Sequence, residues 1–165
     1  MKRSVAVCCA LVVALGAFAA LAAQSKPSFA GKWTLVPDPN AAAAGGGRGR
    51  GGFGGLGQEF SATQDDKVLT VVTTNQQTGE TKAVYNLDGT ESKNPLTMGG
   101  NTIDRASKVK WDGAKLVITT TVNFQGNGIE STQTWSLDAS GNLIVESTSS
   151  FGGTPTTTKA TYKKG

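Results

Sequence analysis

Histidine is absent from all 165 residues. That removes the usual proton shuttle near neutral pH and the commonest metal ligand. Cysteine is almost absent too: Cys8 and Cys9 both fall within the first ten residues, inside an apolar run. Without His or a cysteine beyond that run, a Ser-His-Asp triad, a Cys-His pair and the usual zinc sites are excluded. No disulfide is available either, so the fold must rest on burial alone. Charge is sparse, at 17% of residues, and no window after the first segment has helical periodicity.

The first segment reads as an export signal. Lys2 and Arg3 give a positive start, Val5 to Ala19 is apolar or small, and Ala20-Leu21-Ala22 fits a small-x-small cleavage site. Cleavage before Ala23 takes residues 1–22, both cysteines included, and leaves a single domain over 23–165. The location expected is periplasmic or extracellular. The 16 basic residues fall to 14 against 12 acidic, a net +2. So weak a balance does not steer the chain to nucleic acid or anionic lipid, and no membrane span is expected after processing.

What is present is β pattern. Three segments repeat a polar turn followed by a β-branched run: Asp65–Val71, Asp112–Ile118 and Ser140–Val145. Such repetition writes an antiparallel meander. Strands are expected near 28–36, 58–64, 67–74, 81–88, 103–111, 114–124, 129–137, 142–151 and 155–163. Two long connections interrupt them. One is the Ala/Gly/Arg-rich tract 41–57, expected to be a flexible loop; its Arg48-Gly49-Arg50-Gly51-Gly52-Phe53 looks like one copy of the RGG repeats of RNA-binding tails. The other is 89–101.

Alternation assigns the faces. Leu116, Ile118, Thr120, Val122 and Phe124 share one side of their strand, as do Ser131, Gln133, Trp135 and Leu137. Ile103, Val109 and Trp111 oppose Asp104, Lys108 and Lys110. One face is apolar and the other carries Thr, Lys and Glu, the pattern of a sheet wet on one side. Closing on itself covers the apolar face and removes the edges. The fold expected is all-β, an up-and-down barrel of about eight to ten strands. A two-sheet sandwich is the alternative. An outer-membrane barrel would need aromatic girdles, which these strands lack.

Gly31-Lys32-Trp33 stands at the start of the first strand. This Gly-x-Trp placement resembles the lipocalins and their calycin relatives. The Leu-Asp-Gly turn, the Trp111-Asp112-Gly113-x-Lys115-Leu116-Val117-Ile118 segment and the Thr-rich last hairpin look like small exported bacterial lipocalin-like proteins. The resemblance implies that Gly31 and Trp33 close the barrel floor and that the mouth accepts a small apolar ligand. The arginine that stacks on that tryptophan in the family has no counterpart in the last strand, where Tyr162, Lys163 and Lys164 are available instead. No Thr-Asp-Tyr motif is present.

The function expected is non-catalytic binding of a small hydrophobic or amphipathic molecule. Tyr85, Trp111, Phe124 and Trp135 are candidate cavity residues, although core packing explains large aromatics equally. Thr73, Thr120 and Gln133 offer hydrogen bonds to a polar head, and Arg105 with Lys108 offers a clamp for a carboxylate. No cofactor and no metal are expected. Asp104, Glu130 and Glu146 fall on the charged face, Asp65, Asp66, Asp112 and Asp138 in turns, so no spacing marks a catalytic pair and no enzyme is expected. The alternative is a cell-envelope interaction or structural protein with a solid core, acting through 41–57 or 89–101.

Overall fold

The computed structural model describes residues 26–38, 55–75, 79–98, 100–124, 127–150 and 155–165, with Asn75, Met98, Phe124 and Asn127 described by backbone alone. The expected export signal and positions 41–54 of the low-complexity tract lie outside these residues. Twelve strands follow in order: β1 (Gly31–Leu35), β2 (Glu59–Gln64), β3 (Val68–Asn75), β4 (Gly79–Asn86), β5 (Ser92–Lys93), β6 (Leu96–Met98), β7 (Asn101–Ile103), β8 (Arg105–Asp112), β9 (Lys115–Phe124), β10 (Asn127–Leu137), β11 (Leu143–Ser149) and β12 (Thr156–Lys164). No helix occurs among the described residues.

Ten strands form one antiparallel sheet in the order β4-β3-β2-β1-β12-β11-β10-β9-β8-β5, while β6 and β7 pair as a separate hairpin. The first strand lies beside the last, with Trp33 opposite Lys164 and Leu35 opposite Tyr162. The chain therefore winds into a barrel, nearly closed, as the alternation requires. The connection 89–101 is not a plain loop. It holds β5, which pairs with β8 (Ser92 opposite Ser107), and the β6–β7 hairpin.

Turn chemistry fixes the register. Asp65 Oδ1 accepts the N–H groups of Lys67 and Val68, both at 2.7 Å. Asp138 accepts from Ser140, from the Asn142 backbone and from the Asn142 side chain. Asp88 accepts from the Thr90 hydroxyl and N–H. These bonds favour the ionised carboxylates, so all three sit below the usual aspartate range. Gly113 turns β8 into β9 at φ 58°, a conformation that costs glycine nothing.

Side chains on directly opposed residues share a face, and large apolar ones meet inside. Phe29 stacks on Trp111 at 6.1 Å and meets Trp135 edge-on at 5.7 Å. Phe60 joins Trp135 to Tyr162, at 5.7 and 5.1 Å. Leu69, Leu116, Ile118 and Leu143 fill the space around this aromatic chain. Burial of such groups contributes on the order of 1.5–3 kcal/mol each. The end of the glycine tract joins them: Leu56 is buried, and the Gly57 carbonyl accepts the Tyr162 hydroxyl at 3.1 Å.

Candidate functional site

Gly31 and Trp33 lie on β1, beside the end of β12. Trp33 is fully buried, and its Nε1 donates to the Phe29 carbonyl at 2.9 Å. Gln64 ties the 26–30 segment to β2: its Oε1 accepts the Phe29 N–H, and its Nε2 donates to the Pro27 carbonyl. Lys164 Nζ lies 5.7 Å from the Trp33 ring centre, a cation–π contact in the place where the lipocalin resemblance puts an arginine. Gly31 has φ 142°, which other residues rarely adopt, and an added Cβ would meet the Lys164 side chain at 2.6 Å.

The aromatic candidates do not converge on one place. Trp135 is buried in the aromatic chain between Phe29 and Phe60. Trp111 is half-buried, stacked on Phe29 with Lys26 Nζ 5.2 Å from its ring centre. Its Nε1 is the one buried side-chain polar atom without a hydrogen-bond partner among the described residues. Tyr85, only 8% exposed, points inward opposite Leu69. Burial pushes its phenol above the usual tyrosine pKa, and the positive charge of Arg105 opposes part of that rise. Phe124 ends β9 opposite Asn127, and its side chain lies outside the described set.

A second kind of inner surface was only partly anticipated. The register from β8 to β12 places Ser107, Thr120, Ser131, Ser149 and Thr156 in one inward row. The neighbouring row runs Val109, Ile118, Gln133, Ser147 and Thr158. Both rows become wetter toward the last strand. Ser107 and Thr120 are buried and share a 3.0 Å hydroxyl–hydroxyl bond. Ser131, Gln133, Ser147 and Ser149 are half-buried, and Thr156 and Thr158 are exposed. This end of the inner wall of β10–β12 is thus a polar trough that water reaches, while Trp135, Leu143, Val145 and Tyr162 farther along it are buried. Period-2 alternation marked Thr120 and Gln133 as interior. It also put Ser131 on the face of Gln133 and Trp135, but gave no sign of Ser107, Ser147 and Ser149, because a small polar residue on an inward position looks the same as one on a wet face.

Two polar side chains tie this trough to its surroundings. Gln133 Oε1 accepts the Trp135 Nε1–H at 3.1 Å, which joins the trough to the aromatic chain. Arg105 stands opposite Val122, so it shares the inward face, and its Nε donates to the Asn94 carbonyl at 3.0 Å. Arg105 and Lys108 cannot form one clamp. They lie three positions apart on β8, hence on opposite faces, and Lys108 is exposed with Glu91 at 3.8 Å. Thr73 and Thr81 oppose each other on the inner side of β3 and β4, half-buried.

The carboxylates fall where the alternation puts them. Asp104, Glu130 and Glu146 are exposed, and Glu146 pairs with Lys159 at 3.5 Å across β11 and β12. Surface pairs of this type contribute little to stability. Among the described residues no group of three or more acidic side chains is placed to hold a metal ion. No protein-family model matches the chain, and no curated protein is similar to it.

Proposed function

We propose that this is an exported, lipocalin-like carrier that holds a small amphipathic molecule without chemical change. The observation that supports the reading most is the wet trough of Ser131, Gln133, Ser147 and Ser149 beside a dry aromatic interior. A barrel of this size either fills with side chains or accommodates one ligand. The molecule occupies the wet side of the interior, with its apolar part turned toward the dry aromatic half. Its polar part faces the hydroxyls and the Gln133 amide. Arg105 on the inner face suits a ligand that carries a carboxylate, since an ion-assisted hydrogen bond is about twice as strong as a neutral one.

Tryptophan emission tests this directly. The Trp135 indole is bonded to Gln133, so a ligand engaging Gln133 perturbs the fluorophore. Titration with a panel of fatty acids, retinoids and quinones is expected to give a saturable shift or quench with at least one class. No change across the panel contradicts the reading, and Gln133→Leu, which removes the link, is expected to abolish the spectral response.

A further inference from the structure

The barrel wall has one boundary that is not a strand ladder. Around the sheet, the junctions between the longer strands carry registers of three or more residue pairs, from the short β1–β12 contact upward. Between β4 and β8 the register is replaced by a strap, residues 92–94. On the β8 side it makes two ladder pairs. On the β4 side the strap is held chiefly by the Asn94 side chain, with an exposed bond from Asn86 Nδ2 to the Glu91 carbonyl at 3.3 Å just before it. Asn94 Oδ1 accepts the Val84 N–H at 2.7 Å, and Asn94 Nδ2 donates to the Val84 carbonyl at 2.9 Å. A carboxamide carries a donor and an acceptor side by side, as a peptide group does, so it stands in for the missing strand residue. The Asn94 backbone completes the crossing: its N–H donates to the Arg105 carbonyl at 2.7 Å, and its own carbonyl accepts Arg105 Nε at 3.0 Å. Asn94 is 3% exposed, while its partners Val84 and Arg105 are half-buried. Ser92 adds one more, its hydroxyl donating to the Ser107 carbonyl at 3.2 Å.

We infer that this seam is a lateral gate, latched by Asn94, through which the ligand enters the barrel, and that Arg105 couples the latch to the bound ligand. The inference rests on the carrier reading for its ligand but not for the gate itself. Opening the seam breaks side-chain bonds and one two-residue ladder, whereas the β1–β12 junction holds three ladder pairs and each remaining wall four or more. Local opening follows the least connected boundary. The coupling comes from the guanidinium. Its Nε is committed to the Asn94 carbonyl, which leaves the two Nη groups to meet an anionic headgroup from the inner side. An anion there fixes Arg105 and holds the strap closed. By reciprocity, a loosened strap weakens the anion's hold.

Residue-resolved amide exchange on the ligand-free mature protein tests the gate. The Val84 N–H, whose acceptor is the Asn94 side chain, is expected to exchange at least about tenfold faster than that of Ile118, which lies mid-strand with a ladder on each side. Asn94→Ala is expected to speed Val84 further while leaving Ile118 within about twofold. Equal rates at Val84 and Ile118 in the unaltered protein, or an equal acceleration of both in the variant, overturn the gate. Dodecanoate is then added until tryptophan emission saturates, and Val84 exchange is expected to slow by about threefold or more. Binding without that slowing overturns the coupling. Absence of any emission change with dodecanoate removes the coupling as well and counts against the carrier reading, while the ligand-free rates still decide the gate.

Discussion

The two halves of the barrel interior follow one rule of alternation and reach opposite ends. From Trp33 through Phe60, Trp135 and Phe29, inward positions carry rings that touch across the barrel and exclude water. From Ser131 through Ser147 and Ser149 to Thr158, inward positions carry two- and three-atom side chains that water reaches. Backbone geometry is shared, since all of these residues except Phe29, which precedes β1, lie on antiparallel ladders. The difference is side-chain reach. A barrel interior is dry only where the inward groups are large enough to meet at native packing density. The first half therefore supplies stability, and the second leaves polar groups available to a guest.

Substitutions sharpen that contrast. The largest effect is expected from Trp135→Ala in the aromatic half, a loss of about 3–5 kcal/mol in urea unfolding. Ser107→Ala comes next. It strands the buried Thr120 hydroxyl, whose partner is Ser107 Oγ at 3.0 Å, and costs about 1–3 kcal/mol. Adding Thr120→Val to that variant is expected to recover much of the loss, because both polar partners are then gone. Ser149→Ala, in the wet half, is expected to stay within about 0.5 kcal/mol of the unaltered protein while weakening the ligand titration. A loss at Ser149 as large as at Trp135 breaks the comparison.

The turns add a smaller, pH-dependent term. Asp65, Asp88 and Asp138 are held below their ordinary pKa by hydrogen bonds from Lys67, Thr90 and Asn142 respectively. The unfolded chain then binds protons before the folded one does as pH falls. Stability is full above the unfolded value, about 4, and is lost as pH drops through the lower folded values. Thermal melts are expected to be level from pH 7 to about 5 and to fall below about 4, and Asp138→Asn is expected to flatten that fall.

The nine main strands were legible because each is long enough for a period of two to show. Thr120, Val122 and Trp135 took the faces that alternation assigned. The strap within 89–101 and the β6–β7 hairpin, which runs on to Ile103, were not legible. A strand of two or three residues has no period, and Asn94-Pro95 reads locally as a turn. That a carboxamide there replaces a strand residue depends on Val84, ten positions away, and no local pattern records it. Leu137, counted with the apolar face of its strand, is 36% exposed at the last position of β10. Arg105 and Lys108 looked like one basic pair near the mouth, yet strand parity sends them to opposite faces. The separation of Trp111 from Trp135 followed from the placement of Phe29. That residue comes from the segment before β1 and inserts between the two indoles.

The central claim is that one half of the interior is packed and the other receives a ligand. An NMR titration with dodecanoate, following backbone amides across all twelve strands, tests it most directly. The account expects saturable shifts at Arg105, Ser131, Gln133, Ser147 and Ser149, with Leu116, Leu143 and the outward Thr132 and Glu146 unmoved. Shifts confined to the outer face, or to Lys26 and Trp111 beside Phe29, would contradict it.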